Sequence, residues 1–428
     1  MPRRHSIPTP SVDSFYTAPA DLATYSPGTA IRSRPVDVAF LGLIPQRVAA
    51  TQVLYRSTTM HGDPTVAATT ILRSRNTEVG VHHSSRLLSY QCAIDAIDGS
   101  HFPSYRLRRH SGFAVSVPAL EYLLVMAALR RGWMVSIPDH EGLQGNWGFA
   151  REPGFHILDA IRACHNTPEI AADLAEDAAV GLWGYSGGGL ASAWAAEMAS
   201  EYAPELDIVG AVLGSPVGDP GETFRRLNAT PFAGLPVLVI AALAREYPQV
   251  RSLIAEHGSA AGIAALERAT TMSTTQALIA FAGDDIADYT DLTMAQLLAD
   301  PGLQEVFDDI RLGSHAPSMP ILAVQAIHDP VISVVDIDAQ MRRYRDLGAD
   351  VTYRRDRLSE HILLHTISAP MSLTWLADRF DGVPSAPGTT QTVWSVALCR
   401  GWIAGMLQLA LAVLYVVLGL APRPRGRQ

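Results

Sequence analysis

Ser186 stands between Gly184 and Gly188 in the stretch AVGLWGYSGGGLASAWAAEMAS. A serine hydroxyl becomes a useful nucleophile only when a base takes its proton and an acid holds that base. In this stretch an apolar run, a tight glycine turn and an Ala-rich helical run follow one another without a gap. That order suits a nucleophile elbow, where a strand delivers the serine and the N-terminus of a helix faces it. Such a turn is crowded, and Gly184, Gly187, Gly188 and Gly189 supply the small neighbours it needs. The G-x-S-x-G pattern alone is weak; the strand–turn–helix context separates it from an ordinary glycine-rich loop.

The acid and the base of such a site follow the serine in the order Ser, Asp or Glu, His, each at the carboxyl end of a strand. Asp329 directly follows the apolar run ILAVQAIH and precedes Pro330, so it is the expected acid. The competing reading is an Asx-type turn that closes the strand. Asp336 and Asp338 are rivals in the following helix, where side chains usually face solvent. Only His361 and His365 lie downstream of Asp329, in the segment RLSEHILLH, read as the loop after the strand DVTYRR. His361 is nearer the polar end of that segment and is the expected base. His365 falls among Leu363, Leu364 and Ile367 and reads as a core histidine. The pair lacks the glutamate of H-E-x-x-H, and no third ligand is evident, so no metal is expected.

An acyl transfer also needs donors aimed at the oxyanion that develops in the transition state. One is the backbone N–H of Gly187, the residue after the nucleophile. The second normally comes from a loop after an earlier strand, and LLSYQCAIDAIDGS offers Asp95 there. On residue chemistry alone Asp95 reads as a turn-former.

The elements that must position these residues are legible as a pattern. Short β-like runs (VAATTILR, LLSYQCAI, WMVSIPD, AVGLWGY, IVGAVLGS) are separated by helical periodicity in PALEYLLVMAALRRG and FHILDAIRAC. The alternation predicts an α/β fold with a mostly parallel central sheet and helices on both faces. It breaks after Pro216, and residues 217–318 are mostly helical in pattern. A hundred such residues are too many for a plain loop, so an inserted helical cap is expected. The expected organisation is a Pro-rich N-terminal extension over 1–65, the first part of the core over 66–216, the cap over 217–318 and the second part of the core over 319–381. A linker over 382–392 (DGVPSAPGTT) then precedes an apolar tail over 393–421.

Bulk properties bound the function. The 428 residues are 48% apolar and 18% charged, enough to bury a sizeable core. The net charge of −9, with no basic stripe carrying interleaved aromatics, argues against nucleic-acid binding. Cys92, Cys164 and Cys399 are too few for a disulfide scaffold; a Cys92–Cys164 pair is left open by spacing. The N-terminus has arginines without an apolar run behind them and does not read as a signal peptide. Trp402 to Leu420 carries no formal charge and is flanked by Arg400 and by Arg423, Arg425 and Arg427. That length could span a bilayer or dock on the domain, so membrane association is expected, with an envelope or extracytoplasmic location favoured over a cytoplasmic one.

The ordered segments DSFYTAP, PGTAIRSR, VLYRSTTMHGDPTVAATTIL, SYQCAIDA, WMVSIPDHEG, FHILDAIRA, GYSGGG and LTWLADRF resemble those of the secretory lipase family of α/β-hydrolases. They run from about residue 13 to 381, and PDHEG followed by the LDAIRA helix is the most specific match. The resemblance implies a triad of Ser186, Asp329 and His361, an oxyanion hole of Gly187 and Asp95, and a helical insertion that acts as a lid. The family usually carries a secretion signal, which the N-terminus as given does not read as; the apolar tail and His140, where tyrosine is common, are further departures. A cofactor-free, lipase-type ester hydrolase acting on apolar esters is the leading expectation. The alternatives are an acyltransferase using the same acyl-enzyme and a membrane-tethered binding protein without activity.

Overall fold

The computed structural model describes residues 6–75, 84–386 and 388–422. Ten strands form the main sheet among these residues: β1 Ala30–Pro35, β2 Val48–Thr58, β3 Pro64–Ser74, β4 Ser84–Gln91, β5 Met134–Pro138, β6 Leu174–Tyr185, β7 Ile208–Gly214, β8 Ile321–Ala326, β9 Val351–Asp356 and β10 Thr390–Val393. Their spatial order is β1-β2-β3-β5-β4-β6-β7-β8-β9-β10. From β5 to β10 every neighbouring pair is parallel, while β1, β2 and β3 extend the edge in antiparallel register. The expected mostly parallel α/β sheet is therefore present. The span 1–65, expected as an N-terminal extension packing on the core, contributes β1 and β2 to the sheet itself.

Alternating side chains feed two cores, as the two-residue strand period requires. Leu87, Leu182, Leu213 and Ala323 point to one face, and Leu88, Trp183, Val212 and Leu322 to the other. The first face is covered by α2 Glu152–Asn166, α3 Gly187–Tyr202 and α11 Val334–Asp346. The second is covered by α1 Val117–Leu129, α12 His361–Phe380 and α13 Trp402–Val417. Gly154 of α2 lies against the Trp194 backbone, a closeness that a larger residue would prevent.

Between β7 and β8 the described chain passes through α4 Pro220–Leu227, α5 Gly234–Leu243, α6 Pro248–His257, α7 Ala260–Ala269, α8 Thr274–Ala280, α9 Met294–Ala299 and α10 Pro301–Asp309. Short helices need local start signals because each has few internal hydrogen bonds. Asp219, Ser259, Ser273, Thr293 and Asp300 supply them by accepting from backbone N–H groups of the first turn.

Three expectations are corrected near the C-terminus. His361 and His365 lie on helix α12 rather than in a loop, because Glu360 accepts from the N–H groups of Ile362 and Leu363 and starts the helix there. The stretch read as a linker contributes Thr390 onward to β10, which pairs with β9. The apolar tail is a 16-residue helix, about 24 Å long at 1.5 Å per residue. No helix of the described residues is long and apolar enough to cross a membrane. Instead α13 docks on α1 and α12 through Gly405, Leu409, Ala412 and Val416, one stripe at spacings of four, three and four. Gln46 Nε2 donates to Val416 O at 2.9 Å, and Trp402 Nε1 to Ile367 O at 2.8 Å. Arg423, Arg425 and Arg427, read as flanking charges, lie outside the described residues.

The docked helix makes a mutational contrast. Leu409→Ala, in the buried stripe, should cost about 2–4 kcal/mol of unfolding free energy. Leu407→Ala, on the solvent side, should stay within about 0.5 kcal/mol of the parent in chemical denaturation. Equal losses at the two positions would mean that α13 is not seated in this way.

Candidate active site

The parallel strands all end at one edge of the sheet, and the residues singled out above follow those ends. Such an edge is where open α/β sheets place ligands. Ser186 follows β6, Asp329 lies three residues after β8, and His361 begins α12 after β9 and a four-residue turn. The loop Cys92–Ala96, which carries Asp95, follows β4.

Ser186 has φ +55° and ψ −122°, a conformation that costs a residue with a side chain of order 1–3 kcal/mol. The turn is held by the Ser186 N–H, which donates to Gly214 O at 2.8 Å. Its neighbours have no room for a side chain: a Cβ on Gly184 would strike Gly188 O, and one on Gly188 would strike Gln91 O. As the first residue of α3, Gly187 offers an N–H that no helical carbonyl can accept.

Ser186 Oγ is 3.0 Å from His361 Nε2, and His361 Nδ1 is 2.7 Å from Asp329 Oδ2. A carboxylate only accepts, so Nδ1 carries the proton and Nε2 is left to accept from the serine hydroxyl. Asp329 Oδ1 accepts from the N–H groups of Val331 and Ile332, each at 2.8 Å, and Oδ2 also accepts from Gln325 Nε2 at 3.1 Å. Both Asp329 and His361 are buried. Tyr185 donates its O–H to His361 O at 2.6 Å and receives a hydrogen bond from Ser215 at 2.9 Å, which ties the first turn of α12 to the sheet.

The rivals do not reach this chain of contacts. Asp338 pairs with Arg355 at 3.0 Å. Asp336 is buried on α11, contrary to the solvent exposure expected of it, and burial pushes its carboxyl up to about 6. His365 stacks on Tyr185 with ring centroids 4.4 Å apart, and burial lowers it to about 3, so it is neutral. Cys92 and Cys164 are both buried as free thiols.

Asp95 sits beside Gly187, whose Cβ, if present, would meet Asp95 Oδ1. Its own N–H is directed away, donating to Glu141 Oε1 at 3.1 Å, and its φ is +46°. Oδ1 is buried without a hydrogen-bond partner among the described residues. Burial raises the carboxyl to about 7, against a smaller opposing pull from His361. Glu121 accepts from the Ala93 N–H at 3.1 Å, and burial raises it to about 8. Burial, reinforced by Asp95, raises Glu141 as well. His140 Nε2 contacts Cys92 O at 2.8 Å. The loop that presents Asp95 is thus pinned from three sides by buried side chains.

Sequence reasoning missed these supports. Glu141 and His140 lie inside PDHEG, and Glu121 is a lone carboxylate in the apolar run PALEYLLVMAALRRG; either pattern signals a buried polar partner. Gln325, Tyr185 and Ser215 left no comparable signal. Arg226 Nη2 of α4 also donates to Asp329 O at 2.6 Å, a link between the insertion and Asp329.

Above Ser186 the insertion encloses an apolar cavity. Ser186, Gly187 and Asp95 form its floor, and Trp147, Leu243, Leu266 and Phe307 are among its walls. Thr274, at the start of α8, donates to Asp95 O at 2.8 Å and seats the insertion on the Asp95 loop.

The chain is similar to known proteins over nearly its whole length. A protein of Mycobacterium tuberculosis named "Probable inactive lipase" is 50% identical over 97% of this chain and 93% of its own. Lipase A of Arthroderma benhamiae is 35% identical over 98% of this chain and 90% of its own. The closed-state structure of Candida antarctica lipase A superposes with a TM-score of 0.83 at 24% identity, covering 95% of this chain and 96% of that one, which shows the fold. The family model described as secretory lipase matches residues 107–388, and the chain belongs to that family.

Proposed function

We propose that this protein is a serine carboxylic ester hydrolase that works through an acyl-enzyme on Ser186. The continuous Ser186–His361–Asp329 hydrogen-bond chain, opening into an apolar cavity, carries the reading. Ser186 Oγ attacks the ester carbonyl carbon while His361 Nε2 takes its proton. Asp329 accepts from His361 Nδ1 and holds the imidazolium in orientation. The tetrahedral oxyanion meets the Gly187 N–H and the protonated Asp95 carboxyl. Collapse breaks the bond to the alcohol, which leaves with the proton from His361. Water, deprotonated by His361, then attacks the acyl carbon; the acyl–Oγ bond breaks, His361 returns the proton to Ser186 Oγ, and the acid leaves.

The donor role of Asp95 rests on its side chain, because its N–H is already given to Glu141. The carboxyl donates only while protonated, which at about 7 holds on the acid side of neutrality. The apolar walls suit the acyl part of an apolar ester, and the α4–α10 insertion serves as the lid. An extracellular or envelope location is the one the family description supports. A second reading, a fold that binds without turnover, draws on the name of the 50% identical relative.

A fluorophosphonate probe should label the native protein and not Ser186→Ala. On p-nitrophenyl esters of increasing chain length, Ser186→Ala should lose about 10⁴-fold or more in kcat. Unlabelled native protein without turnover would favour the second reading.

The pH profile tests Asp95. As pH rises through about 7 the carboxyl ionises beside Glu141, Glu121 and His361, the oxyanion loses a donor, and kcat should fall. Asp95→Ala should cost about 10²–10³ in kcat. Asp95→Asn, which keeps a donor that does not titrate, should retain most activity and lose this alkaline decline. An unchanged decline in Asp95→Asn would remove Asp95 from the role.

A further inference from the structure

We propose that the solvent face of α13 is a docking surface for an anionic phospholipid layer, on which the helix lies flat. The face consists of Ile403, Leu407, Leu411, Leu414, Val417 and Leu418, all exposed, and Ile403 is 73% accessible. From Ile403 to Leu420 the polar side chains are Gln408 and Tyr415, and both are turned to the protein. Gln408 accepts from Arg131 at 3.4 Å, and Tyr415 lies under the Arg130 guanidinium at 4.1 Å. The outward stripe is therefore purely hydrocarbon. An exposed apolar surface of this kind marks a contact site rather than the ordinary scatter of single residues.

Exposed apolar residues also stand at Leu398 and Trp394, shortly before the helix in the chain, and at Leu358, whose N–H donates to Trp394 O at 3.1 Å. Ile362 and Leu363, next in the chain to His361, are exposed as well. Exposed apolar residues thus stand both on α13 and beside His361 in the chain. Trp394 supplies the amphipathic ring that favours a membrane–water boundary.

Charge selects the occupant. The chain carries −9 overall, yet residues 382–428 hold four arginines (Arg400, Arg423, Arg425 and Arg427) and no aspartate or glutamate. An anionic headgroup layer neutralises these arginines, and each basic residue near such a surface strengthens binding. The helix is too short to cross the hydrocarbon core, which leaves the in-plane arrangement with its apolar face at the headgroup boundary. Docking of this kind needs no catalysis, so it stands apart from the chemistry assigned to Ser186.

Flotation of the full chain with phosphatidylcholine vesicles, with and without phosphatidylglycerol, tests the proposal. The protein should float with the phosphatidylglycerol vesicles, and added salt should weaken binding. The triple variant Leu407→Gln, Leu411→Gln, Leu414→Gln should reduce the bound fraction by roughly tenfold or more. An unchanged thermal transition shows that the variant folds, and the double variant Ile403→Gln, Val417→Gln gives an independent reading. Failure of the parent chain to bind phosphatidylglycerol vesicles, or equal binding by folded variants, overturns the proposal. So does a lipid-free dimer that the same substitutions dissociate, which would assign the face to a second copy.

Discussion

The strand-to-helix turn at Ser186 is built at the limit of backbone packing. Gly184 approaches Gly188, Gly188 approaches Gln91 of the adjacent strand, and Gly187 approaches the Asp95 carboxyl. Each closeness excludes a Cβ, so the turn tolerates little change of residue. The unfavourable backbone angles of Ser186 are offset by the strand–helix framework around it, including the bond from its N–H to Gly214. Everything else at the site is measured from this fixed hydroxyl. His361 reaches it because Glu360 starts α12 one residue earlier and Tyr185, the residue before the serine, binds the His361 carbonyl.

Burial gives the neighbouring carboxyls a different chemistry from that of Asp329. Asp329 is surrounded by donors: two backbone N–H groups, Gln325 and His361. These are the partners an ionised carboxylate requires. Asp95, Glu121 and Glu141 have fewer donors, and desolvation raises all three. The carboxyls therefore divide into one held among donors beside His361 and others that burial raises. The division is set by what surrounds each side chain and not by residue type.

Apolar surface is used twice in this molecule. The insertion turns its hydrocarbon inward to line a cavity over Ser186, while α13 buries one stripe on the core and leaves the other outside. The insertion carries charged residues among its apolar ones, whereas Trp402 to Leu420 carries none. A helix that is apolar all round carries no label for its inner and outer faces, so only its docking partners distinguish them.

The sequence by itself determined the α/β alternation, the turn at Ser186, the family and the order of Asp329 and His361 behind the serine. These are local signals: period-two apolar runs, a glycine cluster between a strand and a helix, and a carboxylate at a strand end. The participation of residues 30–58 in the sheet was not legible, because antiparallel pairing along an edge depends on partners distant in the chain. The helical start at His361 was hidden by a polar segment that reads as a loop until Glu360 caps it. The direction of the Asp95 N–H, the supports from Glu121 and Glu141, and the docking of the tail were decided by tertiary structure alone. Each depends on which groups lie within a few ångströms across long sequence separations and on how much water they lose, and neither is encoded in neighbouring residues.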